Sequence, residues 1–274
     1  MPDIYAEIDF LARLDLYANE RPYIMLLGVE DEIDDDVPIT NLQFETKSKI
    51  LIQDMREHPE LNFSQCGFEF LRDHQSRVTV FETEGDIMLY KRETEALLSS
   101  HFDAVKALTY EVKLRKNIHF ERTEYDANDE LVIEGPATGA HNGTNKPDSR
   151  FYQADLADLT YESGFKMVWH RLQPEDRAKY LRPGYRIRVI NTWRPLNDTL
   201  EDRPLALCDS RTVMDDDLKV SDRVFPTHGK SGELYFLQYN PGQRWYWLER
   251  QRSTEPFVFL TFDTMAKRNM AKRG

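Results

Sequence analysis

The sequence predicts an α+β protein that is mainly β: a barrel or jelly roll over residues 107–274, preceded by a mixed α/β portion over 1–106. Three observations predict it. After Ala107 the chain breaks into short runs rich in Val, Ile, Tyr, Phe and Trp. Pro, Gly, Asn and Asp clusters separate those runs, as turns separate strands in all-β barrels. Ahead of that point, one stretch has the apolar spacing of a long helix, Tyr90 to Phe102.

The expected strands are Lys49 to Asp54 in the first portion and, beyond it, Ala107 to Leu114, Leu131 to Ile133, Tyr185 to Trp193, Leu205 to Cys208, Glu233 to Tyr239, Arg244 to Leu248 and Phe257 to Phe262. One helix interrupts them, Pro174 to Leu181, with proline in its first turn and Pro183-Gly184 ending it. The acidic stretch Glu30 to Asp36 reads as a loop ahead of Pro38. With no repeat and no low-complexity linker, a chain of 274 residues is expected to form a single domain over 1–274.

Composition excludes several classes. A formal charge of -12 opposes binding to nucleic acid, whose affinity comes from clustered Lys and Arg. No apolar run approaches the ~20 residues that cross a bilayer, so neither a membrane anchor nor a leader is expected, and the chain reads as soluble and cytoplasmic. Cys66 and Cys208 match no finger or disulfide spacing and are expected as reduced, buried thiols.

Alternation places Tyr185, Ile187, Val189, Asn191 and Trp193 on one face of a strand and Arg186, Arg188, Ile190, Thr192 and Arg194 on the other. The arginine face suits either an acidic ligand or solvent, and periodicity alone favours solvent. Trp169, Trp193, Trp245, Tyr246 and Trp247 are candidate walls of an apolar pocket, although half of them suit core packing equally well. In the last run, Trp245 and Trp247 oppose Tyr246, one set facing in and the other out.

Three strings stand in order: Asn191-Thr-Trp-Arg-Pro-Leu196, Pro204-Leu-Ala-Leu-Cys-Asp209 and Tyr239-Asn-Pro-Gly-Gln-Arg-Trp-Tyr246. With Gly67-Phe68-Glu69 and the Tyr90 to Leu98 helix, they make the chain similar to the fungal gibberellin-desaturase-like and aspergillic-acid-hydroxylase-like family. Members of that family resemble non-haem iron oxygenases that use 2-oxoglutarate. The resemblance implies a double-stranded β-helix, the jelly-roll or cupin-like barrel.

Such iron chemistry needs two histidines and one carboxylate on one face of the metal. The family's His-x-Asp maps in two registers, and neither completes the pair. Pro136-Ala137 leads to His141-Asn142-Gly143, which has no carboxylate, while Thr160 to Gly164 leads back to Leu156-Ala157-Asp158, which has no histidine. The resemblance also implies a histidine after the Phe259 to Asp263 strand, and Gln243 stands at the family's histidine in the Tyr-Asn-Pro string. His58, His74, His101, His119, His170 and His228 have no metal-ligand spacing.

These readings lead to no metal, no cofactor, and a metal-independent cyclase, isomerase or lyase of secondary metabolism that shapes a small biosynthetic intermediate. Its expected catalytic residues are Asp158, Arg194, Tyr239 and Arg244, as proton carriers or hydrogen-bond donors. The expected substrate-binding residues are Asn191, Trp193, Asp209, Arg211, Asn240 and Trp245. Two alternatives stand beside this reading: an Fe(II)/2-oxoglutarate-dependent hydroxylase or desaturase with unusual ligands, and a non-catalytic binding or partner subunit. The expected partner is a small molecule, and a homodimer remains open.

Overall fold

The structure, a computed structural model, describes residues 3–25, 36–118, 130–136, 139–142, 168–225 and 229–265. Of the expected Glu30 to Asp36 loop, only Asp36 lies among them.

Strand β1 (Ile4–Leu11) alternates Ile4, Ala6, Ile8 and Phe10 against Tyr5, Glu7 and Asp9. Its even positions turn to the core, where Phe10 is fully buried, while Tyr5 is exposed. After a short helix α1 (Leu16–Asn19) and β2 (Tyr23–Met25) comes β3 (Phe44–Asp54), antiparallel to β1. Next are α2 (Phe63–Cys66), β4 (Phe68–Phe70) and α3 (Glu84–His101). Thr83 starts α3 with a capping box: its hydroxyl accepts from the Asp86 N–H and the Asp86 carboxylate accepts from the Thr83 N–H.

The rest supplies short strands β5 (Leu114–Arg115), β6 (Ile133–Glu134) and β7 (His141–Asn142), the helix α4 (Pro174–Tyr180), and β8 (Arg188–Trp193). These are followed by β9 (Leu207–Cys208), β10 (Leu218–Phe225), β11 (Gly229–Leu237), β12 (Trp245–Trp247) and β13 (Phe257–Asp263).

The two larger sheets run β1-β3-β12-β9 and β2-β10-β11-β7, and a third runs β4-β13-β8. In the first, β12 lies parallel to β3, with Trp245 opposite Ile52 and Trp247 opposite Asp54. Early and late parts of the chain therefore share one sheet. The fold is mainly β, as expected, and β8, β9, β12, β13 and α4 form close to their expected bounds, whereas α3 begins at Glu84 rather than Tyr90 and β3 at Phe44 rather than Lys49. The Ala107 to Leu114 run is different: only Leu114 enters a strand there, and Leu108 stays exposed rather than facing a sheet.

Two apolar clusters flank the first sheet. On one face Ile50, Ile52, Phe10, Leu237 and Trp245 pack together, with Cys208, Tyr239 and Trp247 partly buried beside them. On the other, Tyr246 and Leu248 join Met55, Cys66, Phe68 and Phe257, with Trp193 and Phe259 against them. The expected split of β12 into an inner and an outer set is thus corrected, because both of its faces are covered.

Candidate functional site

The three strings that suggested the family converge. Strand β9 pairs with β12, Cys208 opposite Trp245 and Leu207 opposite Tyr246, and the Asp209 N–H donates to the Arg244 carbonyl at 2.9 Å. Asp209 is buried and closes a 3-10 turn over Ser210–Thr212, its carboxylate accepting from the Arg211 N–H at 3.0 Å. Arg211 Nη2 reaches the same carboxylate at 2.6 Å, and this bond raises the guanidinium's pKa. The expected pair Asp209 and Arg211 therefore sits as a bidentate clamp under β12.

Burial pushes the Tyr246 phenol up, and the Asp209 charge adds to it against Arg244 and Arg211. Burial likewise raises the Cys66 thiol and drives Cys208 to about 12, which favours the protonated thiol at both, although Cys208 is only partly buried rather than fully buried as expected.

Asn191 and Trp193 face the same way as Phe257 and Phe259 of β13 and Phe68 and Phe70 of β4, into the Tyr246 cluster. Arg194, just past β8, donates from Nη1 to the carbonyls of His74 at 3.0 Å and Ser253 at 3.3 Å, with its guanidinium 5.7 Å from the Tyr90 ring centre. It ties two loops to α3. The remaining arginines of that face behave similarly. Arg186 pairs with buried Asp263, and Arg188 lies over the rings of Phe63 and Phe102. Burial lowers the Arg188 pKa, Arg186 adds to that, and Asp263 opposes it. The face expected to be solvated is partly covered: Ile190 packs with Leu97 and Leu98 of α3 and Leu260 of β13 against the cluster of Phe63, Leu71 and Val258.

Tyr239 stands edge-on to Phe10 at 5.4 Å, within the Trp245 cluster. Asn240 builds a turn, its Oδ1 accepting from the Gly242 N–H at 2.9 Å, and its Nδ2 donates to buried Asp217 at 3.2 Å. Asp217 also accepts from Arg13 Nη2 and from the Met214 N–H, each at 2.9 Å. The Arg244 side chain is exposed, while its N–H donates to Thr212 Oγ1 at 3.0 Å. Asp158 lies outside the described residues, so the structure brings together nine of the ten expected residues around three sheets rather than around one point.

One pair was missed. Asp54 ends the alternation Ile50, Ile52, Asp54 on the Trp245 face, fully buried, and Trp247 stands opposite it. Asp54 Oδ1 accepts from the Arg56 N–H at 3.1 Å, whereas Asp54 Oδ2 and Trp247 Nε1 are buried and have no hydrogen-bond partner among the described residues. An acid ending an apolar alternation was the available signal.

A metal site does not assemble among the described residues: no group of three or more His, Cys, Asp or Glu side chains could hold an ion. His141 pairs across to Phe236, 6.0 Å from its ring centre, and its Nδ1 is 2.8 Å from the Gly139 carbonyl. Its neighbour Ala140 belongs to the Trp245 cluster, so by alternation the imidazole leaves that face. The described residues alone therefore do not fit a facial triad. No described helix is long and apolar enough to cross a membrane.

Residues 10–273 match the family model described as "YDMC: Oxidoreductase/YMDC permease-like domain", and the chain belongs to that family. Among named relatives, the "Fe(II)/2-oxoglutarate-dependent dioxygenase nvfI" of Aspergillus novofumigatus is 26% identical over 220 residues, covering 80% of this chain and 71% of that protein. The "Hydroxylase/desaturase efuI" of Hormonema carpetanum is 23% identical over 240 residues, covering 82% and 74%. A solved structure titled "iron and alpha-ketoglutarate-dependent endoperoxidase NvfI" matches with a TM-score of 0.71 at 20% identity, over 95% of this chain and 84% of that one. This likeness bears out the jelly-roll expectation.

The resemblance to fungal oxygenases holds, and two expectations built on the incomplete ligand pattern fall. The metal-independent cyclase, isomerase or lyase is overturned, because the relatives are named as Fe(II)/2-oxoglutarate dioxygenases and hydroxylase/desaturases. The expectation of no cofactor falls for the same reason, since those names point to iron and 2-oxoglutarate.

Proposed function

We propose that the chain is an Fe(II)/2-oxoglutarate-dependent oxygenase that hydroxylates or desaturates a small intermediate of fungal secondary metabolism. The observation that carries it is similarity over 80% of the chain to a named dioxygenase of this kind. Iron with 2-oxoglutarate would supply the oxidising power. The chain's contribution is a largely apolar interior on the Trp245 face, which excludes water and orients the substrate. The shared β3–β12 pairing supports one domain over residues 1–274.

The test is anaerobic calorimetric titration of the full chain with Fe(II), then 2-oxoglutarate, followed by an assay for succinate on admitting air. Stoichiometric Fe(II) binding, iron-dependent 2-oxoglutarate binding and succinate release are expected. Absence of Fe(II) binding would overturn the reading. The outward turn of His141 favours one competitor, a non-catalytic binding subunit. Tight small-molecule binding without turnover would select it.

A further inference from the structure

Opposite charges that face each other across two strands normally pair, and a partly desolvated guanidinium left without a partner is costly. Arg188 of β8 stands directly opposite Asp263 of β13, whose side chain is 2% exposed. That carboxylate belongs to another arginine. Arg186 Nε reaches Oδ1 at 3.0 Å and Oδ2 at 3.1 Å, its Nη2 also bonds Oδ2, and the Met265 N–H donates to Oδ1 at 2.8 Å. Arg188 Nε is left 3.6 Å from Oδ2, too far for a hydrogen bond. No hydrogen bond among the described residues reaches any nitrogen of Arg188. Its guanidinium is nonetheless held, 5.9 Å from the Phe63 ring centre and 5.5 Å from that of Phe102, two rings packed 4.6 Å apart. Burial and the Arg186 charge depress its pKa, and Asp263 offsets them only in part. Of its nitrogens Nε alone is both buried and unpaired, and the side chain is 24% exposed, which leaves the terminal fork at the surface. Arg194 on the same face differs, because its Nη1 is bound to two carbonyls.

Two guanidiniums thus share one carboxylate, leaving one positive charge uncompensated on a chain whose formal charge is -12. A fixed, planar fork with unused N–H donors matches the two oxygens of a carboxylate. We propose that Arg188 is the binding site for the carboxylate of a small monoanion, with Phe63 and Phe102 fixing the guanidinium and Arg186 adding its charge. A phosphate dianion meets one surplus charge where it needs two, and a neutral amide offers the fork a single uncharged acceptor. The site is separate from the interior proposed for the oxygenase substrate. Strand β8 sends Arg188 and Ile190 to the side of Leu97 and Leu98 of α3, and Trp193 to the opposite side, with Tyr246. The inference goes beyond the oxygenase reading and requires neither iron nor 2-oxoglutarate.

The experiment uses the full chain, free of both, titrated calorimetrically at low ionic strength and neutral pH with benzoate, benzamide and inorganic phosphate. Benzoate is expected to bind at a single site, at least ~10-fold more tightly than either of the others, because it alone brings a singly charged pair of acceptors to the fork. Arg188→Met keeps an apolar stem beside the two rings and should abolish benzoate binding. Arg188→Lys keeps the charge without the fork and should weaken it ~10-fold. Absence of benzoate binding, equal affinity for the three probes, or undiminished benzoate binding in either variant would overturn the proposal. Should Arg188→Met fail to fold, the Lys variant decides alone by the same criterion. With Fe(II) present, 2-oxoglutarate affinity should be the same in wild type and in both variants, and its loss on substitution would show that Arg188 serves the cosubstrate rather than a separate site. Failure of wild type to bind Fe(II) would sink the oxygenase reading and leave the benzoate result standing.

Discussion

Two buried aspartates, Asp217 at the corner leading into β10 and Asp54 at the end of β3, differ in how completely they are paired. Asp217 accepts from Arg13, Asn240 and the Met214 N–H, so both oxygens are committed. Asp54 has one oxygen on the Arg56 N–H and one with no partner among the described residues. Burial is nearly the same, 1% and 0% exposed, so exposure does not separate them. Partner count does. A saturated buried carboxylate marks a joint that holds the fold, while a half-saturated one contributes less to it.

The contrast breaks most visibly at the joint itself. Asp217→Ala should lower unfolding stability by about 3 kcal/mol in urea, since it removes one buried acceptor shared by Arg13, Asn240 and the Met214 N–H. Asp209→Ala should cost about 2 kcal/mol, measured the same way, through loss of the turn cap and of the Arg211 clamp. If either value falls below about 0.5 kcal/mol, partner count does not report structural role.

Glu255 sharpens the comparison through pH. Burial pushes its carboxyl up, but Arg56 and the Arg252 N–H outweigh that and hold it below the usual carboxylate range. A lowered folded pKa contributes stability that is full above the ordinary value of about 4.3 and disappears as pH falls through the folded one. Wild type should therefore exceed Glu255→Gln in Tm at pH 7, with the gap closing below about pH 4. A gap constant with pH would show that the ion pair is not its source. The smallest effect is expected at Asp54→Asn, within about 1 kcal/mol of wild type in the same urea experiment, because the Oδ1 cap survives.

What could be read from the residues follows from range. Strands such as β8 and β13 carry their pattern locally, and both form where alternation and turn residues place them. Strand β1 carries its pattern locally too, with Ile4, Ala6, Ile8 and Phe10 in period two against Tyr5, Glu7 and Asp9. Strand β10, with Lys219, Asp222 and Arg223, disguises its alternation. The candidate site was less legible because its geometry is set by long-range pairing. Nothing near Asp54 in sequence announces Trp247, and nothing in the arginine-rich face of β8 announces that α3 lies over it. Reaction class was illegible for another reason: the local ligand pattern is incomplete, whereas the similarity that indicates it is spread along most of the chain.

The insertion of β12 between β3 and β9 has a consequence for biogenesis. On the ribosome, β1 and β3 emerge long before the strand that will lie against the far side of β3. Until then β3 presents an open edge with Ile50 and Ile52 uncovered, and such an edge invites pairing with other chains. Closure waits on a contact of very large sequence separation, which slows folding. Newly made chains should therefore depend on protection during synthesis more than the finished molecule depends on it afterwards.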